Sequence, residues 1–257
     1  GSLDGHASPE SAPKNGRRRA AVGVSVSMLL PLAPSKWLSS PRPNGAAPLR
    51  LWCFPFAGGG AATWHSWSAQ LSGTAEVVAV RLPGRENRLG ETPLSAVDQL
   101  VSALVNEVAP YSARPFVFCG HSFGALLAFE VARALRARGV PGPAGLIVSG
   151  ARAPGTPRRE PNLHPLPDDQ FAAEVDQRYG GIPAVVRANG EFLELFLPAL
   201  RADLTAYETY RPTAEPKLEL PLLALGGDYD RHVLPAELLA WQSQASGSFT
   251  SEFFPGG

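Results

Sequence analysis

Phe116-Val117-Phe118-Cys119-Gly120-His121-Ser122-Phe123-Gly124-Ala125-Leu126-Leu127-Ala128-Phe129-Glu130 is the stretch that decides how the chain is read. Four apolar residues, three of them aromatic or β-branched, run into a Gly-x-Ser-x-Gly pentapeptide, and beyond it apolar residues recur at Leu127, Val131 and Leu135 with helical spacing. A buried strand, a sharp turn and a helix therefore follow one another, with Ser122 at the turn. Gly120 and Gly124 carry no Cβ, so the backbone can close tightly enough to lift a side chain above a sheet. A serine hydroxyl is a poor nucleophile until it is exposed beside a base, and this turn supplies the exposure.

Outward from this stretch, short apolar runs alternate with longer helical patterns, which predicts βαβ units and a mostly parallel sheet. Leu49–Phe54 reads as a strand that ends in Pro55-Phe56-Ala57-Gly58-Gly59-Gly60, and Trp64, Trp67 and Leu71 share the face of a helix behind it. Glu76–Leu82 is the next strand, followed by the loop Pro83-Gly84-Arg85-Glu86-Asn87-Arg88 and a helix between Leu94 and Tyr111. Strands are expected at Gly145–Ser149, Leu220–Leu225 and Ser248–Phe254. The fold class is α/β, of the α/β-hydrolase type: a mostly parallel central sheet with helices on both faces and a helical lid. The lid is the insertion at about 153–216, with helices near 168–179 and 190–210. The second of these is apolar over much of its circumference, and Pro198 is expected to kink it. It is either a buried core helix or one wall of an acyl chamber, the latter formed by Phe192, Phe196 and Leu200.

The chain has 257 residues, enough for one such domain with a large core. Lys+Arg and Asp+Glu both total 23, so no net field favours nucleic acid or an anionic membrane, and no apolar run reaches the ~20 residues of a membrane span. Residues 1–45 are rich in Pro, Gly, Ser and Ala and are expected to form a mostly disordered tail ahead of a domain at 46–257. Within the tail, Gly1-Ser2 reads as an expression scar and Met28 as a native start. The arginines Arg17–Arg19 before Ala20–Leu32 imitate a signal peptide, but Gly and Ser dilute the apolar run. Cys53 and Cys119 lie in strands without metal-ligand spacing, as buried reduced thiols of a cytoplasmic protein would.

Acyl transfer places negative charge on the former carbonyl oxygen, and two backbone N–H groups must meet it. Phe123, following the nucleophile, supplies one. Ala57 in the glycine-rich loop is the choice for the other, with Phe56 as the alternative. That loop lacks the Lys-Ser/Thr of a phosphate-binding loop and the spacing of a dinucleotide fingerprint. The acid of the triad belongs after a late strand, where Asp230 fits the offset from Gly227 better than Asp228. The base is a histidine expected after the last strand. His6, His65 and His164 are surface or packing residues; His121 and His232 are awkwardly placed, one beside the nucleophile in sequence and one two residues from the acid. Arg85 and Arg88, on a loop at the carboxyl edge of the sheet, are candidates for docking an acidic partner.

Five segments in order resemble the type II thioesterases, the stand-alone editing enzymes of polyketide and nonribosomal peptide synthesis. They are Phe54-Pro55-Phe56-Ala57-Gly58-Gly59, Leu82-Pro83-Gly84-Arg85, the Ser122 segment through Glu130, Leu197-Pro198-Ala199-Leu200-Arg201-Ala202-Asp203 and Phe254-Pro255-Gly256-Gly257. The resemblance runs from about Ser35 to the last residue. It implies hydrolysis of an acyl thioester on the phosphopantetheine arm of an acyl or peptidyl carrier protein, without metal or cofactor. In that family a catalytic histidine directly follows the Phe-Pro-Gly-Gly segment, so the resemblance implies a histidine next after Gly257. A carboxylesterase or lipase is the rival within hydrolases; a non-catalytic acyl- or carrier-binding module is the rival outside them.

Overall fold

A computed structural model describes residues 1–2, 31–180 and 182–256. His6, the Arg17–Arg19 run, Met28 and Gly257 lie outside them. The strands are β1 (Leu38–Ser39), β2 (Leu49–Phe54), β3 (Ala75–Val80), β4 (Phe116–His121), β5 (Leu146–Ser149), β6 (Leu222–Gly227) and β7 (Phe249–Phe254). They form one sheet in the order β1-β3-β2-β4-β5-β6-β7, antiparallel only at the β1–β3 edge. The helices are α1 (His65–Gln70), α2 (Val97–Val108), α3 (Phe123–Ala137), α4 (Asp168–Tyr179), α5 (Ala184–Arg187), α6 (Gly190–Thr209) and α7 (Pro235–Leu239).

Successive strand side chains point to opposite faces, and β2 uses both. Trp52 and Phe54 enter a large core with α2 and α3, whereas Leu51 and Cys53 join Trp64 and Ala61 in a smaller core on the other face. Cys53 and Cys119 are register partners on β2 and β4, both free and buried. Burial pushes the Cys119 thiol up to about 12 and the Cys53 thiol well above its ordinary value, so both are held as neutral thiols.

At the amino ends of the strands a buried ion cluster ties three elements together. Glu76 accepts from Arg50 Nε at 2.8 Å and from Arg114 Nη1 at 2.7 Å, and all three side chains are at most 3% exposed. The chemistry lies at the opposite edge. Strand order reverses between β2 and β4, whose neighbours lead outward in opposite directions, and the loops leaving such a switch point diverge into a crevice at the carboxyl ends of the strands. The glycine-rich loop and the Ser122 turn are those two loops.

The sheet also extends into the segment expected to be disordered. Leu38 and Ser39 pair with Val80 and Ala79, Arg81 N–H donates to Trp37 O at 2.7 Å, and Leu32 and Trp37 pack on the main core. The ordered domain thus begins before residue 46. Of the described helices, none is long and apolar enough to cross a membrane.

Candidate active site

Ser122 lies between β4 and α3 with φ 53° and ψ −119°, a backbone conformation that costs a non-glycine residue about 1–3 kcal/mol. Its neighbours make the strain possible. A Cβ on Gly120 would lie 2.3 Å from Gly124 O, and one on Gly124 would lie 2.2 Å from Phe54 O, so each glycine is required by backbone contact. The Ser122 N–H donates to Ser149 O at 2.8 Å and its carbonyl accepts from Ala125 N at 3.0 Å, fixing the turn from both sides. Phe123 opens α3, so its N–H has no acceptor within the helix and stands at the positive end of the dipole.

The glycine-rich loop lies against this turn. Among the described residues no group accepts from the Ala57 N–H, whereas the next one, Gly58 N–H, donates to Asp203 Oδ2 at 2.8 Å. Asp203 is on α6, and Arg85 binds it in a fork, Nη1 to Oδ2 at 2.6 Å and Nη2 to Oδ1 at 2.9 Å. Arg85 Nη1 also donates to Gly59 O at 3.0 Å. One buried ion pair therefore clamps the glycine-rich loop between the loop after β3 and the lid.

This geometry corrects the expectation for the two loop arginines. Arg85 is only 7% exposed and Arg88 only 4%. Arg88 donates to Glu91 and to Arg81 O, and its guanidinium stacks 4.0 Å from the Trp37 ring. Both side chains are spent inside the protein and neither can meet a partner. Asp203 is the residue to which the sequence reading gave no role, although it closes the Leu197–Asp203 segment and stands in line with Leu200 and Leu204 on the apolar side of α6. Asp203→Ala leaves the Arg85 charge buried and unpaired, and is expected to lower stability by about 3–5 kcal/mol. Chemical denaturation checks this; a loss below ~1 kcal/mol would show that water replaces the carboxylate.

The lid consists of α4, α5 and α6 over a small core of its own, in which Phe171 and Val175 meet Leu197, Leu200 and Leu204, with Ala57 and Phe196 at its margin. A Cβ on Gly58 would stand 3.0 Å from both Leu200 Cδ1 and Phe196 Cζ, so these two side chains reach the glycine-rich loop. Phe192, one turn earlier, is 48% exposed and Leu195 51%, so the apolar circumference of α6 is half lid core and half solvent-facing. The helix runs through Pro198, whose ring is on the exposed side.

Asp230 lies on the loop after β6, and its Oδ1 accepts from His232 N at 2.8 Å and Val233 N at 3.0 Å. His121 ends β4 and lies between the glycine-rich loop and the segment that leaves β5. Its Nδ1 is 3.2 Å from Ser149 Oγ, its ring meets Phe56 edge to face at 6.0 Å, and a Cβ on Gly150 would come within 2.7 Å of its Cε1. His121 is exposed at its surface, and partial desolvation against Phe56 and Gly150 lowers its pKa, against the opposing pull of the Asp230 carboxylate. The His232 ring packs on Tyr179 at 5.2 Å. Among the described residues no imidazole hydrogen-bonds Ser122 Oγ. His65 is exposed on α1, and His164 pairs with Glu208 at 2.7 Å in the insertion.

Residues 49–257 match the Thioesterase domain family. The chain is 39% identical over 222 residues to the gramicidin S biosynthesis protein GrsT of Aneurinibacillus migulanus, spanning 86% of each. It is 39% identical over 219 residues to thioesterase PikA5 of Streptomyces venezuelae, spanning 84% of this chain and 76% of that one. Among solved structures it is similar to the type II thioesterase BorB from the borrelidin biosynthetic cluster. There the TM-score is 0.77 and the identity 36%, over 88% of this chain and 89% of that one.

Proposed function

The chain belongs to the thioesterase family, and from that premise we propose that it is the hydrolase that clears or releases acyl groups from the phosphopantetheine arm of an acyl or peptidyl carrier protein in polyketide or nonribosomal peptide synthesis. The observation that carries the site is the strained Ser122 turn at the sheet's switch point, beside a loop whose Ala57 amide has no acceptor among the described residues.

Ser122 Oγ attacks the thioester carbonyl while a base takes its proton. The oxyanion is met by the N–H groups of Phe123 and Ala57, and the C–S bond breaks as the proton passes to the leaving pantetheine thiol. Water, activated by the same base, then cleaves the acyl–Ser122 ester and frees the acid. Asp230 orients the base and stabilises its protonated form. Phe196 and Leu200 wall the acyl group where the lid meets the glycine-rich loop, with Phe192 at the outer rim. No step in this sequence calls on a metal or cofactor.

The test compares one acyl group on three carriers: a carrier-protein thioester, a short thioester and a simple oxygen ester. Carrier-bound substrate is expected to be turned over at least about tenfold faster in kcat/KM than the oxygen ester, as docking energy is added to the same chemistry. Equal or faster cleavage of the oxygen ester would make the protein a general carboxylesterase. Absence of both turnover and a stoichiometric burst with an activated ester would make it a binding module.

A further inference from the structure

The loop that carries Asp230 also carries Arg231, which among the described residues of this region is the one arginine whose guanidinium meets no acceptor. Every described arginine from Arg152 to Arg211, like Arg81, Arg85 and Arg88, donates to a carboxylate or a carbonyl. Arg231 is exposed, and among the described residues no group accepts from its guanidinium. The neighbouring carboxylate does not claim it, because Asp230 Oδ1 is held by the backbone of His232 and Val233. The same loop, and the end of the lid helix that touches it at His232, expose apolar side chains as well. Tyr229 is 77% exposed, although its N–H is anchored to Gly256 O at 2.8 Å, and Leu234 is 42% exposed. Tyr179, at the end of lid helix α4, is 40% exposed and reaches the loop through His232.

This patch stands at the same edge of the sheet as Ser122, since β4, β5 and β6 are parallel neighbours and both loops leave their carboxyl ends. Building on the carrier-thioesterase reading, we propose that Arg231, flanked by Tyr229 and Tyr179, binds the phosphodiester at the base of the phosphopantetheine arm. The arm is an anion joined to a chain of amides and methylenes. A guanidinium gives the anion charge-assisted hydrogen bonds. The two phenol rings offer apolar faces with polar tips along which the amide chain can lie.

The experiment uses the natural full-length protein and one acyl group presented as a carrier-protein thioester, as acyl-phosphopantetheine and as acyl-pantetheine, which lacks the phosphate. Arg231→Gln is expected to raise KM about tenfold for the first two donors, with kcat held, and to leave acyl-pantetheine unchanged. Arg231→Lys should recover most of the loss, and the difference between parent and Arg231→Gln should shrink as salt is raised. An equal KM change for acyl-pantetheine, a fall in kcat for all three donors, or no change at all would overturn the assignment. A change confined to the carrier-bound donor would put Arg231 against the carrier's own surface and overturn it as well. Failure of the parent to hydrolyse any donor would instead overturn the thioesterase reading beneath it.

Discussion

Ser122→Ala is expected to abolish hydrolysis of carrier-bound acyl thioesters, by a factor on the order of 10⁶ in kcat, the scale of removing the nucleophile from a serine triad. The structure argues that this loss comes without unfolding. Alanine keeps the Cβ that already tolerates φ 53°, and the contacts that hold the turn, to Ser149 O and from Ala125 N, are made by the backbone of residue 122. The conformational strain is therefore the same in both proteins, and the midpoint of thermal unfolding should stay within a few degrees. Binding of the acyl substrate should survive, because the Phe123 and Ala57 amides and the lid are untouched. The check is single-turnover kinetics with an activated acyl ester: the parent should release one equivalent of leaving group in a burst and the variant none. A variant retaining activity within tenfold of the parent, in a folded protein, would move the nucleophile away from Ser122.

How far the sequence anticipated this site follows from how local each determinant is. β2 needed only a six-residue run, apolar at all positions but Arg50 and bounded by Pro55, and its expected and observed limits coincide at Leu49–Phe54. The Ser122 turn was legible because its requirement is steric and contained in five residues: two glycines whose missing Cβ atoms admit the backbone of Phe54 and Gly124. α4 fell at its expected span because Pro167 and Gly180 bound it. The features that were misread are those decided at long range. β1 is a two-residue edge strand whose existence depends on pairing with Val80 and Ala79, and nothing in a Pro- and Ser-rich segment signals such pairing. Arg85 and Arg88 looked like solvated loop charges because loops usually lie at the surface. Their burial is set by Asp203, 118 positions away, in one case, and by Glu91 and the Trp37 ring in the other. Phe192 shares the apolar face of its helix in the sequence pattern, but whether that face is covered depends on how far the lid core extends along α6, which no periodicity records.

The general base is the part of the mechanism with the largest remaining leverage, and the chain's last strand indicates where it belongs. β7 runs in register with β6 as far as Gly227 and Phe254, Asp228 N–H donates to Phe254 O at 2.9 Å, and Tyr229 N–H donates to Gly256 O at 2.8 Å. The segment leaving β7 is thereby sewn to the loop that carries Asp230, and we propose that a histidine next after Gly257 serves as the base with Asp230 as its partner. His232 donates its backbone N–H to Asp230 and spends its ring on Tyr179, and His121 is braced between Ser149 and Phe56 with its pKa lowered by partial desolvation. We therefore expect two versions of the protein, one stopping at Gly257 and one extended by a histidine placed directly after it, to differ by at least about 10⁴ in kcat. The shorter one retains the Phe123 and Ala57 amides and the lid, so KM should change far less than kcat, the pattern of a group that acts only in the transition state. In the longer one, kcat/KM should fall as pH drops through the pKa of that histidine, because the protonated ring cannot accept the Ser122 proton. Intact mass fixes the identity of each version before its rate is measured. Full activity from a protein whose mass ends at Gly257 would force the base onto His121 or His232, and substitution of each by asparagine in that same protein would show which of the two takes the proton.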